Sequence, residues 1–506
     1  MGHDEELTAE QIDLNISPLS GAFGRTWNSF CATSSIHGLK YTRDEDTNRI
    51  VRFVWILISL VMFICAIIMV HTFYIDYRSN PTRMNVENDH TPVTTIYFPP
   101  VTICPEVLFN TQQSKAFLQT LKLPDATQVK NILDLLHIFH GFMVDDNRYS
   151  QADTDLLESV LALNNLTIEQ FVDRMLWNCN DLIHRCRYQG IIVDCSQLFQ
   201  RSKTFYGHCC SFNLRQFGLN FTARYAAGGL ENGLSLVLRY KDDSYDILES
   251  YSNGFKMLMQ EALTYPSAHS LIKFMPQNTE VFAAVRPEET FCSSAVKALP
   301  IEERNCVFQD EVKLRYFRKY MYINCELNCR VTNMVKFCGC YTYFFNLNRT
   351  NERICSFRDV HCLVENFDKI ITRRRQTQCK CPLICEHIDY DVQTTSTPLE
   401  LNIPTVDPFY EGLEKDDAVV HIFMNSQIYR RVRLDLLSNM VTLVSNLGSA
   451  FSLFVGMSML SVVEIIYYFT VVLHKNYVLE QQARARLKLQ VFRQKFKVPK
   501  HGMQNN

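Results

Sequence analysis

Two apolar stretches, Phe53 to Ile75 and Met440 to Leu473, stand near opposite ends of this chain and enclose all but two of its 19 cysteines. An apolar run of about 18 residues or more is long enough to cross a bilayer as a helix, and both stretches pass that test. This predicts a two-pass α-helical membrane protein with one large domain between its spans and both ends on the same side. Only Cys31 and Cys65 fall outside the stretch from Cys104 to Cys385. Thiols confined to one region point to an oxidising compartment there, where they pair as disulfides. The middle is therefore expected to be extracellular and the tails cytoplasmic, at the plasma membrane. The expected segments are a cytoplasmic tail over 1–52, a first span over 53–75, a cysteine-rich domain over 76–439, a second span over 440–473 and a basic tail over 474–506. Three glycosylation sequons, at Asn165, Asn220 and Asn348, fall in the middle domain and agree with that placement.

The amino end is polar and acidic at Asp4, Glu5 and Glu6, so the first span is expected to start insertion itself. Arg430, Arg431 and Arg433 sit just outside the second span and weaken the usual charge rule, so the orientation rests on the cysteines. A net charge of -2 says little about partners. The last tail, with Arg484, Arg486, Lys488, Arg493, Lys495 and Lys497, is expected to face anionic lipid of the bilayer rather than nucleic acid.

The central region of about 360 residues exceeds the usual domain of about 100 to 200, yet no Pro, Gly or Ser-rich linker divides it. Strand patterns occur at Val93 to Ile103, Leu234 to Tyr240, Val281 to Val285 and His421 to Val432. Helical patterns occur at Gln128 to Phe142, Thr154 to Leu163, Ile168 to Trp177 and Glu311 to Val335. A mixed α+β extracellular domain follows, with a sheet near both membrane connections and helices in the long excursions.

Ten cysteines near its end can be read as nested pairs: Cys306–Cys385, Cys325–Cys381, Cys329–Cys379, Cys338–Cys362 and Cys340–Cys355. Cys325 and Cys329 lie four apart, as do Cys381 and Cys385, so two helical faces riveted side by side are expected. Connectivity does not follow from spacing alone. Cys338-Gly339-Cys340 and Cys379-Lys380-Cys381 also have zinc-ligand spacing, but extracytosolic cysteines usually oxidise.

The second span is the chemically unusual one. As one helix it would run about 50 Å, beyond a hydrocarbon core of about 30 Å, so it must tilt, overhang or break. Small and hydroxyl residues recur from Ser445 to Ser458, Asn446 is polar, and Glu464 is a carboxylate inside an apolar segment. Small residues serve close helix packing, whereas carboxylates within spans usually face protein or water.

In order along the chain come His37-Gly38, Phe98-Pro99-Pro100-Val101-Thr102-Ile103-Cys104, Cys209-Cys210-Ser211-Phe212-Asn213, the cysteine block, and Leu453-Phe454-Val455-Gly456-Met457-Ser458. In this joint order the chain resembles the degenerin/epithelial sodium channel superfamily, which includes the acid-sensing channels, and it looks closest to the pickpocket branch. The resemblance implies a trimeric, sodium-preferring, voltage-independent channel gated through its extracellular domain. It casts Gly456, Met457 and Ser458 as the selectivity filter, Ser445 and Asn446 as the outer gate position, Ser452 as the residue linked to amiloride block, Glu464 as an inner-pore carboxylate, and His37 and Gly38 as a gating motif. A partly dehydrated sodium ion needs oxygen ligands, which freed carbonyls and a hydroxyl supply. No cofactor is expected; sodium is the permeant ion.

The resemblance also implies Cys104–Cys209 and Cys186–Cys195, leaving the pairing of Cys179, Cys210 and Cys292 open. Two departures limit it. Arg373, Arg374 and Arg375 stand where acid-sensing relatives carry carboxylates, and Asn305 replaces an aromatic before the first cysteine of the block. The implied partners are identical or related subunits, the bilayer, and an extracellular ligand or mechanical tether. The alternative reading is a non-conducting accessory subunit or two-pass receptor. An enzyme is not expected, since spacing supports no nucleophile–base set.

Overall fold

The computed structural model describes residues 17–43, 48–79, 81–124, 128–142, 150–215, 224–239, 253–345, 351–371, 379–437 and 440–495. The chain divides into two units, one of residues 1–83 with 436–506 and the other of residues 84–435.

In the first unit, helix α1 (Pro18–Thr33) opens with Ser17 as its cap, the hydroxyl accepting from the Ser20 N–H, and with proline at its first position. Helix α2 (Arg49–Ser79) is longer than the apolar stretch it contains, because Arg49 to Arg52 and Asp76 to Ser79 extend it at both ends. It is long and apolar enough to span a membrane. The second apolar stretch is not one α-helix. It runs as α8 (Met440–Val455), a three-residue break at Gly456 to Ser458, α9 (Met459–Tyr467), a π-turn (Tyr468–Val472) and α10 (Leu473–Lys495). The excess length is therefore absorbed by a break and by helix that continues well past the apolar residues.

The second unit is built on two sheets. Eight strands form the larger: β1 (Thr82–Pro92), β3 (Ile183–Tyr188), β4 (Ile191–Val193), β7 (Leu234–Leu238), β10 (Thr279–Cys292), β11 (His387–Pro398), β12 (Ala418–Met424) and β13 (Ile428–Leu436). Their order is β1-β13-β10-β12-β7-β3-β4, with β11 on the other edge of β10. The smaller sheet has the order β5-β6-β2-β8-β9, from β2 (Val101–Pro105), β5 (Gln200–Thr204), β6 (Gly207–Phe212), β8 (Gly254–Met259) and β9 (Leu271–Pro276). A common apolar core takes Val101, Ile103, Phe212 and Met257 from the smaller sheet and Leu236, Val285 and Ile422 from the larger.

Several expected elements are shorter or divided. The strand read over Val93 to Ile103 is interrupted: β1 ends at Pro92, Val93–Thr95 makes a 3-10 turn, Tyr97 makes a single bridge to Tyr225, and a continuous strand resumes at Val101. Pro99 and Pro100 have no N–H to give a ladder. The strand read over His421 to Val432 is two, β12 and β13, which pair in parallel with successive parts of one edge of β10. The jog falls opposite Arg286 and Pro287, where Asn425 donates its N–H to the Val285 carbonyl at 2.9 Å. Val281 to Val285 is the middle of the 14-residue β10. β7 ends at Leu238, and Tyr240 lies outside the described residues.

Helices α3 (Thr111–Gln119), α4 (Val129–Asp134), α5 (Gln151–Leu163) and α6 (Ile168–Asp173) precede most of the sheet, and α4 passes into a 3-10 turn (Leu136–Phe142). Ser150 with Asp153, and Thr167 with Gln170, cap α5 and α6 reciprocally. Their apolar faces join Phe139, Phe171, Tyr343 and Phe357 in a second, aromatic core. The helix read over Glu311 to Val335 is only α7 (Tyr322–Cys338). Residues before it are held as turns by other bonds, such as the Tyr320 hydroxyl donating to the Pro382 carbonyl at 2.6 Å.

The structure holds eight disulfides. Five are the nested rungs Cys306–Cys385, Cys325–Cys381, Cys329–Cys379, Cys338–Cys362 and Cys340–Cys355, and the others are Cys104–Cys209, Cys186–Cys195 and Cys179–Cys210. The second helical face expected at Cys381 and Cys385 does not form: Cys325 and Cys329 lie on α7, whereas Leu383–Ile384, between Cys381 and Cys385, pairs as a short strand with Cys306–Val307. Pro382 removes the donor a helix there would need. Cys340, Cys355 and Asp359 cluster closely enough to suggest metal, but the two sulfurs are bonded to each other.

Candidate functional site

The interrupted second span and the amino-terminal segment that folds onto it form the candidate site. On α8, Ser445, Ser449 and Ser452 fall at helical spacing on one face and are exposed in the single chain, while Ala450 is buried. Asn446 is half-buried beside them. The Ser449 hydroxyl bonds back to the Ser445 carbonyl at 2.8 Å, so its polarity is partly satisfied within the helix.

Gly456 ends α8 by turning into the left-handed region, φ 70°. Its N–H donates to the Ser452 carbonyl at 3.0 Å and that of Met457 to Phe451 at 3.3 Å. The Val455 carbonyl, which the break frees, accepts instead from the His37 N–H at 3.0 Å. A Cβ on Gly456 would lie 2.5 Å from Cγ of the His37 ring, so imidazole and glycine backbone are in direct apposition. Gly38 is also left-handed, φ 80°, and a Cβ there would meet the Ser59 hydroxyl of α2 at 2.7 Å. Glycine is required at both positions, by backbone conformation and by space.

Ser458 starts the next helix. Its hydroxyl accepts from the Ser461 N–H at 3.4 Å, and Ser461 answers by accepting from the Ser458 N–H at 3.1 Å. Ser461 is fully buried and its hydroxyl lies 2.8 Å from that of Ser35, which donates to Glu464 at 3.1 Å. The structure thus brings together His37, Gly38, Gly456, Ser458 and Glu464 in one connected set. It leaves Ser445, Asn446 and Ser452 on the helix that precedes the break. Sequence reasoning missed Ser35 and Ser461; the Ser-x-x-Ser spacing at Ser458 before an apolar run was the available signal. Of the other residues singled out, Asn165 is exposed at a turn, while Asn220, Asn348 and Arg373 to Arg375 lie outside the described residues. Asn305 caps a short helical turn in the left-handed region, immediately before Cys306.

The disulfide-rich unit contains a cavity of about 620 Å³ lined in part by Tyr97, Arg215, Glu261, Cys292, Glu386 and His387. Cys292 is a free, buried thiol, pushed up to about 11 by burial and by nearby Glu386. With Cys179 and Cys210 paired, it is the unpaired member of the three cysteines whose pairing the sequence left open. Burial also pushes the Glu261 carboxyl up to about 7, against the Ile388 N–H it accepts from. The folded protein therefore keeps a proton that the unfolded chain releases near 4.5. The stability this group contributes is complete below the unfolded value and is lost as pH rises through about 7. Glu261→Gln is expected to flatten the fall in thermal midpoint between about pH 5 and pH 8; identical slopes in the two proteins would contradict the assignment.

Fold and site together define a two-pass membrane protein of the ion-channel class, with a disulfide-rich α+β domain between its spans. The chain belongs to the amiloride-sensitive sodium channel family, whose profile, described as "Amiloride-sensitive sodium channel", matches residues 30–468. It is 68% identical over 487 residues to "Sodium channel protein Nach" of Drosophila ananassae, covering 96% of this chain and 94% of that protein. It is 25% identical over 455 residues to "Pickpocket protein 11" of Drosophila melanogaster, covering 90% and 77%. A cryo-EM structure of a proton-activated chloride channel overlaps 79% of this chain and 91% of its own at 6% identity, and its TM-score of 0.27 is too low to carry an argument. The family and the Nach relative are described as sodium channels rather than enzymes.

Proposed function

We propose that this chain is a pore-forming subunit of a voltage-independent, sodium-selective cation channel, blocked by amiloride and gated through its extracellular domain. Three copies, identical or from related subunits, surround the path in the plasma membrane, with both tails cytoplasmic and Asn165 glycosylated outside. The observation that carries the reading is the exposed stripe of Ser445, Ser449 and Ser452 leading into a helix break at Gly456 to Ser458. A face of hydroxyls left uncovered on a membrane helix is costly against lipid and sensible against water. Where the stripe ends, carbonyls of the break and the Ser458 hydroxyl supply the oxygens a partly dehydrated sodium ion needs. Glu464, repeated in each copy, raises the local cation concentration below the filter.

The reading is tested without knowledge of the stimulus by replacing Ser445 with tryptophan and recording from cells expressing the chain. A constitutive, amiloride-blocked current favouring sodium over potassium is expected. A current that does not distinguish the two ions would overturn it.

A further inference from the structure

Helix α1 buries one face, made of Ala22, Thr26, Phe30 and Cys31, and that face lies along α10 and the π-turn. Glu480 of α10 is 1% exposed and is gripped from two sides, by Arg25 of α1 and by Arg484 one turn along at 2.9 Å. Burial opposes its charge, but the bonds from Arg25 and Arg484 prevail and hold the carboxyl below its ordinary value. Gly21 gives the carboxylate room, since a Cβ there would approach Oε1 to 3.0 Å. Asn476 donates to the Thr26 hydroxyl at 2.9 Å. Along α1, Phe23, Trp27 and Phe30 close on Phe469, Phe30 also meets Tyr468, and the Tyr468 and Thr33 hydroxyls lie 2.8 Å apart.

These contacts are continuous with the candidate site. Only Ser34, Ser35 and Ile36 separate the end of α1 from His37, whose ring lies against Gly456. So short a connection cannot absorb much displacement of α1, and a shift at one end is passed to the other. The π-turn inserts one extra residue per turn where the aromatic rings meet, which sets the face α10 offers to α1.

We infer that Arg25, Glu480 and Arg484 are positioning residues for ion selection: they clamp α1 to α10 and thereby hold the His37–Gly38 turn under the filter. The inference rests on the channel reading above. In the Ser445→Trp background, Arg25→Glu or Glu480→Gln removes the clamp and is expected to lower the sodium-to-potassium permeability ratio at least about fivefold. Arg25→Lys, which keeps the charge, and the full reversal Arg25→Glu, Glu480→Arg and Arg484→Glu, which leaves no like charges facing each other, are expected to restore it to within about twofold. Each ratio comes from reversal potentials, which do not depend on how many channels reach the surface.

Geometry is read separately. Arg25→Cys and Glu480→Cys are joined by a short bismaleimide in membranes, with each single cysteine variant as control for Cys31 and Cys65. After cutting at a protease site introduced at exposed Val406 and full reduction, the two fragments should stay linked. Unlinked fragments, or unchanged selectivity in both Arg25→Glu and Glu480→Gln, would overturn the inference, as would a full reversal of the three charges no better than Arg25→Glu alone. Linked fragments with no sodium current from Ser445→Trp alone, even with a related subunit co-expressed, would instead strike the channel reading and leave the clamp as a contact between tails.

Discussion

Gly456→Ala is expected to abolish sodium selectivity while leaving the protein at the cell surface. Two penalties coincide at this residue. A left-handed backbone costs a non-glycine residue about 1–2 kcal/mol, which alone is a factor of roughly 5 to 30 in the population of the native turn. The added Cβ would also sit 2.5 Å from the His37 ring, a contact that cannot be kept. Either the His37–Gly38 turn leaves α8 and surrenders the bond to the Val455 carbonyl, or the break closes and α8 runs on into α9. Both outcomes move the Ser458 hydroxyl and the freed carbonyls. Bi-ionic reversal potentials for sodium and potassium, with surface biotinylation as the control, measure the effect. Retained selectivity in Gly456→Ala would mean that neither the left-handed turn nor the His37 contact matters to the filter. His37→Ala offers a useful contrast: it removes the ring and leaves the backbone free to keep its turn, so its effect should be smaller than that of Gly456→Ala.

The sequence revealed the architecture because its strongest signals are compositional. Apolar length, confinement of cysteines and the polar residues of the second span each report on solvent, and solvent dictates where each part of the chain resides. The break at Gly456 was legible as an excess of length with a glycine and hydroxyls at its centre. What remained hidden depends on partners distant in sequence. Nothing near Glu311 says that Tyr320 will bond to Pro382 rather than continue a helix. The jog between β12 and β13 reflects a neighbouring strand that contains Pro287, far away in the chain. The clamp was invisible for the same reason: Arg25 and Glu480 look like ordinary solvated charges until α1 is laid along α10, and only then is the carboxylate buried.

Removing the base rung of the ladder, with Cys306→Ser and Cys385→Ser together, is expected to cost the disulfide-rich unit more than removing any rung within it. The bond joins residues 79 apart in sequence, but with Cys325–Cys381 intact it closes a loop of only about 23 residues, worth about 3–4 kcal/mol in the chain-entropy account. Cys340–Cys355 only divides a loop that Cys338–Cys362 already closes and is worth less. The base rung also ties the strand pairing at the foot of the ladder, Cys306–Val307 against Leu383–Ile384. Its neighbourhood adds a second consequence, because the Cys292 thiol donates to the Cys385 carbonyl at 3.4 Å. A single Cys385→Ser change would leave Cys306 free near another thiol, and the paired change avoids that ambiguity. A cost of about 3–4 kcal/mol is a large part of the roughly 5–15 kcal/mol that holds a folded domain together, so most of the doubly substituted protein should be retained inside the cell. Thermal midpoints in detergent and surface biotinylation rank the rungs. If the doubly substituted Cys340–Cys355 protein proved the less stable of the two, loop length would not be what governs these bonds, and local packing around the aromatic core would take its place. If the base-rung protein reached the surface with an unaltered response to its stimulus, the ladder would be a fastening only.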